Sequence, residues 1–206
     1  MVQATRNDEV AARMPRGHHA AVRLTGDNLG ALCADLNAAL EELTGALDRE
    51  PGLWQRGPRG RWTAGQHVAH VGIALARTAD GFEAAEQRLR SGSLPPPARR
   101  GIMQSLFLSL VVARGHMPRG ARTAPWAVPP AAPARADTLD RLGRDARRHA
   151  AIGERLGVDE RDRLWIANPF LARWYYRLPE MVRAHAVHAR HHRKLVEEIA
   201  RGRARG

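Results

Sequence analysis

Four histidines lie within eight positions near the end of the chain, namely His185, His188, His191 and His192. On a helix, His188 and His192 continue an apolar stripe that also contains Met181, Ala184, Leu195 and Ile199, whereas His191 points away from it. Imidazoles at positions i and i+4 have Cβ atoms about 5–6 Å apart, which suits two ligands of one cation. The other interpretations are two buried imidazoles satisfied by hydrogen bonds, or a partly exposed basic helix end. We favour a metal, because each unpartnered polar group in a core costs about 1–3 kcal/mol.

A third ligand must come from elsewhere in the chain, and the segment after Trp62 offers His67 and His70. Thr63 can cap a helix there, which places His70 about two turns into it. We therefore predict a metal site formed by His70, His188 and His192. His67 could be a ligand, a partner of a ligand, or a polar residue at the helix entrance.

Three imidazole ligands leave a coordination position open, which is typical of catalytic zinc sites. We expect zinc first, while neutral nitrogen donors also accept nickel, iron or manganese. A fourth protein ligand, either His67 or His185, would instead close the site and make the metal structural.

The charge of the chain does not by itself indicate a nucleic-acid partner. The 206 residues carry a net charge of +12, and 32 of the 33 basic residues are arginines spread along the sequence, with Lys194 the exception. A phosphate-binding face would need these cations to be clustered.

The single Cys33 excludes an internal disulfide and fits a reducing cytoplasm. No signal-peptide pattern is present, and the apolar residues 102–113 are too few to span a hydrocarbon core of about 30 Å. We expect a cytoplasmic protein with neither a membrane nor a nucleic-acid partner.

The periodicity of apolar residues predicts an all-α fold. Residues 1–24 are expected to form a flexible basic arm, and residues 25–203 a single domain. Its long helices are predicted from a cap at Thr25 or Asp27 to Asp48, from Thr63 to about Arg90, from a cap at Asp137 to Gly157, and from Pro179 to about Arg201.

Two further segments separate these helices. Residues 102–114 predict a short apolar helix, and the five prolines within residues 117–136 predict a long extended loop. No alternating pattern indicates a strand. The simplest architecture that accommodates these elements, and the one we predict, is four long helices around one core, with an extra short helix and a long proline-rich loop.

Other residues could form the walls of a site. The aromatic side chains of Phe170, Trp174, Tyr175 and Tyr176 precede the last helix and could cover the metal, and the arginine-containing residues 114–122 could meet an anionic cosubstrate. We expect a solvated helix face at the acidic residues Asp80, Glu83 and Glu86. The sequence assigns no catalytic residue beyond the metal ligands.

The motifs Arg61-Trp62-Thr63 and His70-Val71, together with the run from Val187 to His192, resemble those of the DinB-like superfamily of DinB/YfiT-type helical bundles. In that superfamily a Trp-Ser/Thr and His motif on the second helix and a paired-histidine motif on the fourth supply three metal ligands. The resemblance assigns these roles to His70, His188 and His192. The turn Asn168-Pro169-Phe170-Leu171 is similar to that of one branch, although Asn168 stands where that branch often has His. Lys194 and its neighbours also replace a common Gln-Ile pair.

The resemblance implies a DinB-like four-helix bundle and, as one specific activity, thiol-dependent S-transfer. Characterised relatives include S-transferases and isomerases that use bacillithiol, mycothiol or glutathione, so we expect a low-molecular-weight thiol as a partner. Hydrolysis by metal-activated water is an alternative within the enzyme class. The alternative outside it is a non-enzymatic homodimer that contains a structural metal or histidine cluster and associates through the apolar helix at residues 102–113.

Overall fold

The computed structural model describes residues 22–50, 52–115, 117, 123–169, 171 and 173–202 of the chain. These residues are mainly helical, which confirms the all-α class. Only the last three residues of the predicted N-terminal arm are among them, so the expectation of a flexible arm lies outside the described residues.

Six α-helices follow one another along the described chain. They are α1 (Leu29–Gly45), α2 (Ala64–Arg90), α3 (Ile102–Phe107), α4 (Arg135–Glu154), α5 (Val158–Arg163) and α6 (Leu178–Ala200). The four long helices surround one hydrophobic core, because α1 packs against α6 and α4, and α2 packs against the same two helices. The predicted number of long helices and their order are confirmed.

The start of α2 is determined locally, as the sequence predicted. The Thr63 hydroxyl accepts a hydrogen bond from the backbone N–H of Gln66 at 3.2 Å, and the Gln66 side chain accepts one from the Thr63 N–H at 2.9 Å. This reciprocal capping box satisfies two N–H groups that a helix start leaves without a partner. It thereby sets the register of His67 and His70 on the first two turns.

The predicted caps of α1 and α4 are wrong. Thr25 and Asp27 do not cap α1, which begins after a 3₁₀ turn over Gly26–Asn28, and α4 begins before Asp137 without a side-chain cap. The 3₁₀ turn is instead held by a distant residue, since the Gly26 N–H donates to Asp162 Oδ1 at 2.9 Å. A contact across 136 residues leaves no local signal in the sequence.

The predicted apolar helix is present, but it changes its geometry halfway. After α3 the chain continues as π-helical turns over Leu108–Ala113. Its inner face is held by Gln104, whose amide donates to the Tyr175 carbonyl at 2.5 Å, while Ile102 is 86% exposed. Among the described helices, none combines the length and the apolar character needed to cross a membrane.

A small two-stranded sheet corrects the expectation that the chain has no strands. Strand β1 (Trp165–Ala167) pairs antiparallel with β2 (Tyr175–Arg177), and Ile166 lies opposite Tyr176. Three residues are too few to show an alternating pattern, so the periodicity of the sequence could not reveal them. The sheet connects α5 to α6 and contacts α2 through β1.

Candidate metal centre

The structure brings the three predicted ligands together. One nitrogen from each of His70, His188 and His192 lies within 4.8 Å of the others. The Nε2 atoms of His188 and His192 are 3.0 Å apart. Two nitrogens bound at 2.0–2.1 Å to one tetrahedral zinc ion would be about 3.3–3.4 Å apart. The three side chains, which we call the histidine triad, could therefore hold a metal ion after small adjustments.

A backbone carbonyl orients the imidazole of His70. Its Nδ1 lies 2.8 Å from the carbonyl oxygen of Ala127. A carbonyl oxygen only accepts, so Nδ1 carries the proton and the Nε2 lone pair remains for a metal. This arrangement, a ligand imidazole that donates its other N–H to a fixed acceptor, is the usual one in metal sites.

The carbonyl of Ala127 is itself held in place by contacts of the proline-rich loop. The Trp54 indole N–H donates to the Pro133 carbonyl at 2.8 Å, and the Gln66 amide donates to the Pro130 carbonyl at 3.2 Å. The first contact ties the loop to the 3₁₀ turn Leu53–Gln55, and the second ties it to the first turn of α2. The loop is thus part of the site, which the sequence could indicate only through its length.

His67 contacts a member of the triad and lies outside it. Its Nδ1 is 3.0 Å from Nδ1 of His192, the ring nitrogen that does not face His188. If His192 presents the Nε2 lone pair to a metal, its Nδ1 N–H donates to His67. Of the roles considered for His67, the geometry favours that of a partner that orients a ligand.

His185 belongs to a second buried cluster. Its Nε2 lies 2.7 Å from the hydroxyl oxygen of Thr78, and Nε2 of His149 lies 3.1 Å from the same oxygen. The Nδ1 of His149 donates to the Asp145 carbonyl at 2.9 Å. These bonds satisfy the Nε2 of His185 with protein atoms, so the geometry does not support a fourth ligand there. Thr78 was not identified from the sequence, because a single threonine within a helix carries no signal of its distant partners.

The environment keeps these imidazoles neutral. Burial, followed by the neighbouring histidines, lowers the pKa of His188 to about 3 and that of His67 to about 4. Burial is also the main cause of the lowered pKa values of His70 and His192. Neutral imidazole is the form that binds a metal, because a protonated nitrogen has no lone pair to donate.

The triad lies on the wall of a cavity of about 980 Å³. Of the four aromatic residues predicted to cover the site, Tyr176 lines this cavity. Trp174 packs instead against Phe107 with ring centroids 5.3 Å apart, and Tyr175 lies beneath the Arg100 guanidinium. Phe170 lies outside the described residues, as do residues 116 and 118–122 of the arginine-containing stretch.

One of the three acidic residues on α2 corrects another expectation. Glu86 is buried, and its carboxylate accepts hydrogen bonds from both Arg90 and Arg155. Glu83 and Asp80 accept from Arg148 of α4. These carboxylates take part in an ion-pair network that joins α2 to α4 and to Arg155, the residue after α4. The predicted solvated face holds for Asp80 and Glu83, whose side chains are 68% and 40% exposed, and is wrong for the buried Glu86.

Comparison of the chain with family models, with curated proteins and with solved structures finds no match. The resemblance to the DinB-like superfamily therefore rests on the motif residues alone. The interpretation of the site rests on its own geometry.

Proposed function

We propose that the protein binds one divalent metal ion through the histidine triad and uses it to activate a small thiol for transfer to a second substrate. One observation carries this proposal: three neutral imidazoles from two helices converge on the wall of a large cavity. A purely structural cluster would be satisfied by protein atoms and closed to ligands. Here His67 and the Ala127 carbonyl orient two of the imidazoles, and all three imidazoles of the triad line the cavity.

The donor set fits a borderline-soft divalent ion. Zinc is the favoured metal, and nickel, iron and manganese accept the same nitrogen ligands. A bound ion would lower the pKa of a coordinated thiol or water, so that either becomes a nucleophile near neutral pH. Hydrolysis by activated water is thus the alternative reaction at the same site. The chain itself holds the ion, fixes the ligand tautomers and encloses the reacting groups.

Membership of the DinB-like superfamily is part of the proposal. The motif Arg61-Trp62-Thr63 directly precedes α2, the motif His70-Val71 lies on α2, and the run from Val187 to His192 lies on α6. Helices α2 and α6 pack against each other. Each ligand pattern is therefore on a helix of the kind that the superfamily uses. This placement supports a DinB-like four-helix bundle with three metal ligands.

The test is the metal content of full-length protein purified without a polyhistidine tag, measured by inductively coupled plasma mass spectrometry. We expect about one metal per chain in the wild type and in His191→Ala, and a loss in His70→Ala and His188→Ala. His191 is the matched control because it lies on the same helix and outside the triad. Folded wild-type protein that resists reconstitution with zinc, nickel, iron or manganese would refute the proposal.

The second candidate is a non-enzymatic homodimer with a structural metal. Exposed apolar side chains on α3 and the following turns favour it, because Ile102, Met103 and Leu106 are 86%, 68% and 48% exposed. The two candidates differ in access to the metal. A structural site has no exchangeable ligand, whereas a catalytic site binds an added thiol.

A further inference from the structure

We propose that the cavity has an apolar compartment beside the histidine triad that binds an aromatic ring or short alkyl chain, attached to the group that the metal coordinates. This inference rests on the proposed function for the coordinated head group and adds the chemical class of the ligand. We define the apolar compartment by Phe107, Val111, Tyr176, Met181 and Ala184, all of which line the cavity.

The charged side chains in the described wall of the cavity lie at one of its two ends. Helices α2 and α6 run antiparallel, because His67 contacts His192 whereas Thr78, further along α2, contacts the earlier residue His185. The charged residues that line the described part of the cavity are Arg61, before α2, and Glu198, near the end of α6. Both therefore lie towards the His192 end, and the apolar compartment lies towards the start of α6.

Two of the polar atoms that reach the apolar compartment have partners in the protein. The Nε2 of His185 bonds to Thr78, and the Oδ1 of Asn168 accepts from the Leu171 N–H at 3.0 Å. A bound group would meet mainly the apolar side chains of Phe107, Val111, Met181 and Ala184 in this part of the cavity. Such a surface gains free energy by excluding water from an apolar ligand, and it disfavours a charged one.

The size of the compartment suits a compact group. Met181 and His188 are seven residues apart on α6, which corresponds to two turns or about 10 Å along the helix axis. A ring or short chain beside Met181 can therefore be joined to a head group at the triad. A bulky polar cosubstrate would fit better at the Arg61 end.

One wall of the compartment is formed by an uncommon backbone geometry. Val111 lies in the π-helical turns of Leu108–Ala113, and both Val111 and Val112 line the cavity. Such turns are rare and are frequently found at functional sites, because the wider turn changes the direction of the side chains. The neighbouring Phe107 is held by its edge contact with Trp174. This wall of the apolar compartment is thus preformed in the absence of a ligand.

The test compares two thiols that share a head group and differ in the tail. The affinities of 2-phenylethanethiol and 2-mercaptoethanol are measured by isothermal titration calorimetry, with full-length protein both loaded with zinc and stripped of metal. We expect the phenyl compound to bind on the order of tenfold more tightly or better in the loaded protein, and to keep a preference in the stripped protein.

Substitutions test whether the apolar compartment causes the preference for 2-phenylethanethiol. Ala184→Leu fills the compartment and Val111→Ser makes its wall polar, so each should abolish the preference for the phenyl tail while zinc content stays unchanged. Ala84→Leu, on the exposed face of α2, is the matched control and should keep the preference. Circular dichroism confirms that each variant is folded, and the two independent variants cover the case in which one is not.

The outcomes separate this inference from the proposed function. Zinc binding with equal affinities for the two thiols would overturn the apolar compartment and leave the metal site intact. A phenyl preference that Ala184→Leu and Val111→Ser both leave unchanged would overturn it as well. A preference in protein that takes up no metal would support the compartment and refute the metal-dependent function.

Discussion

The Nδ1 atoms of His67 and His192 lie 3.0 Å apart, and their contact joins the first turn of α2 to the face of α6 that carries His188 and His192. Two nitrogens at this distance share one proton, so one imidazole donates and the other accepts. His192 also places its Nε2 3.0 Å from His188. The contact with His67 therefore determines which nitrogen of His192 faces the triad.

Replacement of His67 should weaken metal binding without changing its stoichiometry. Loss of a residue that orients a metal ligand typically costs about 10- to 100-fold in affinity. We expect this loss in His67→Ala, measured by competition with a chromophoric zinc chelator.

The conservative variant distinguishes this role from direct ligation. In His67→Gln the amide oxygen can still accept the proton of His192 Nδ1, so the affinity should recover at least in part. If His67 were a fourth ligand, the glutamine would not restore the affinity. A wild-type affinity in His67→Ala would contradict both roles.

The buried His149 should make the stability of the metal-free protein dependent on pH. Burial is the main cause of its pKa of about 4, compared with 6.5 ordinarily. Between these values the unfolded chain binds a proton that the folded protein does not, so acid favours unfolding. The free energy of unfolding should fall as the pH drops from 6.5, and the loss from this residue should reach about 2 kcal/mol at pH 5. Below about pH 4 this residue should cause no further decrease, because it is then protonated in the folded protein as well.

Urea denaturation at several pH values, monitored by circular dichroism, measures this slope. His149→Gln should have a shallower slope than the wild type, whatever its absolute stability. Thr78→Val is the matched control, because it removes the hydroxyl that contacts His149 and keeps the titrating imidazole. Equal slopes in His149→Gln and the wild type would show that His149 does not titrate in this way.

The carboxylate of Glu86 should contribute to stability by joining α2 to the end of α4. It is 6% exposed, and Arg155 donates to it at 2.6 and 3.0 Å. The hydrogen bond from Arg155 is the leading cause of its lowered pKa. Because the arginines are about half exposed, solvent screens the pair, and we expect Glu86→Gln to lower the free energy of unfolding by only about 1–2 kcal/mol.

Urea denaturation at neutral pH measures this loss. Glu41→Gln, on the exposed face of α1, is the control and should change the stability by less than about 0.5 kcal/mol. If the Glu86 network contributed nothing beyond a surface charge, Glu86→Gln and Glu41→Gln would lower the free energy of unfolding by similar amounts.

The homodimer candidate makes a prediction about α3. If this helix forms a subunit interface, sedimentation equilibrium should give a dimer for the wild type and a monomer for Leu106→Lys, because an unpaired lysine would be buried between subunits. Val158→Lys, at a site with the same 48% exposure on α5, should remain dimeric. A monomeric wild type at micromolar concentration would exclude this interface.

The sequence alone determined the helical architecture and the composition of the triad. Apolar residues that recur every three or four positions specify a helix face through local geometry, and His188 and His192 share such a face with Met181 and Leu195. The Thr63 and Gln66 capping box is equally local. These features depend on residues within a few turns, so a single sequence contains them.

Only the tertiary structure decided which groups surround the triad. The Ala127 carbonyl at His70, the pairing of His67 with His192 and the contact of Thr78 with both His149 and His185 join residues 57 to 125 positions apart. The Asp162 contact that replaces the α1 cap is of the same kind. Packing of the helices sets these contacts, and neither residue type nor spacing along the chain records which distant polar atoms that packing brings within hydrogen-bond distance.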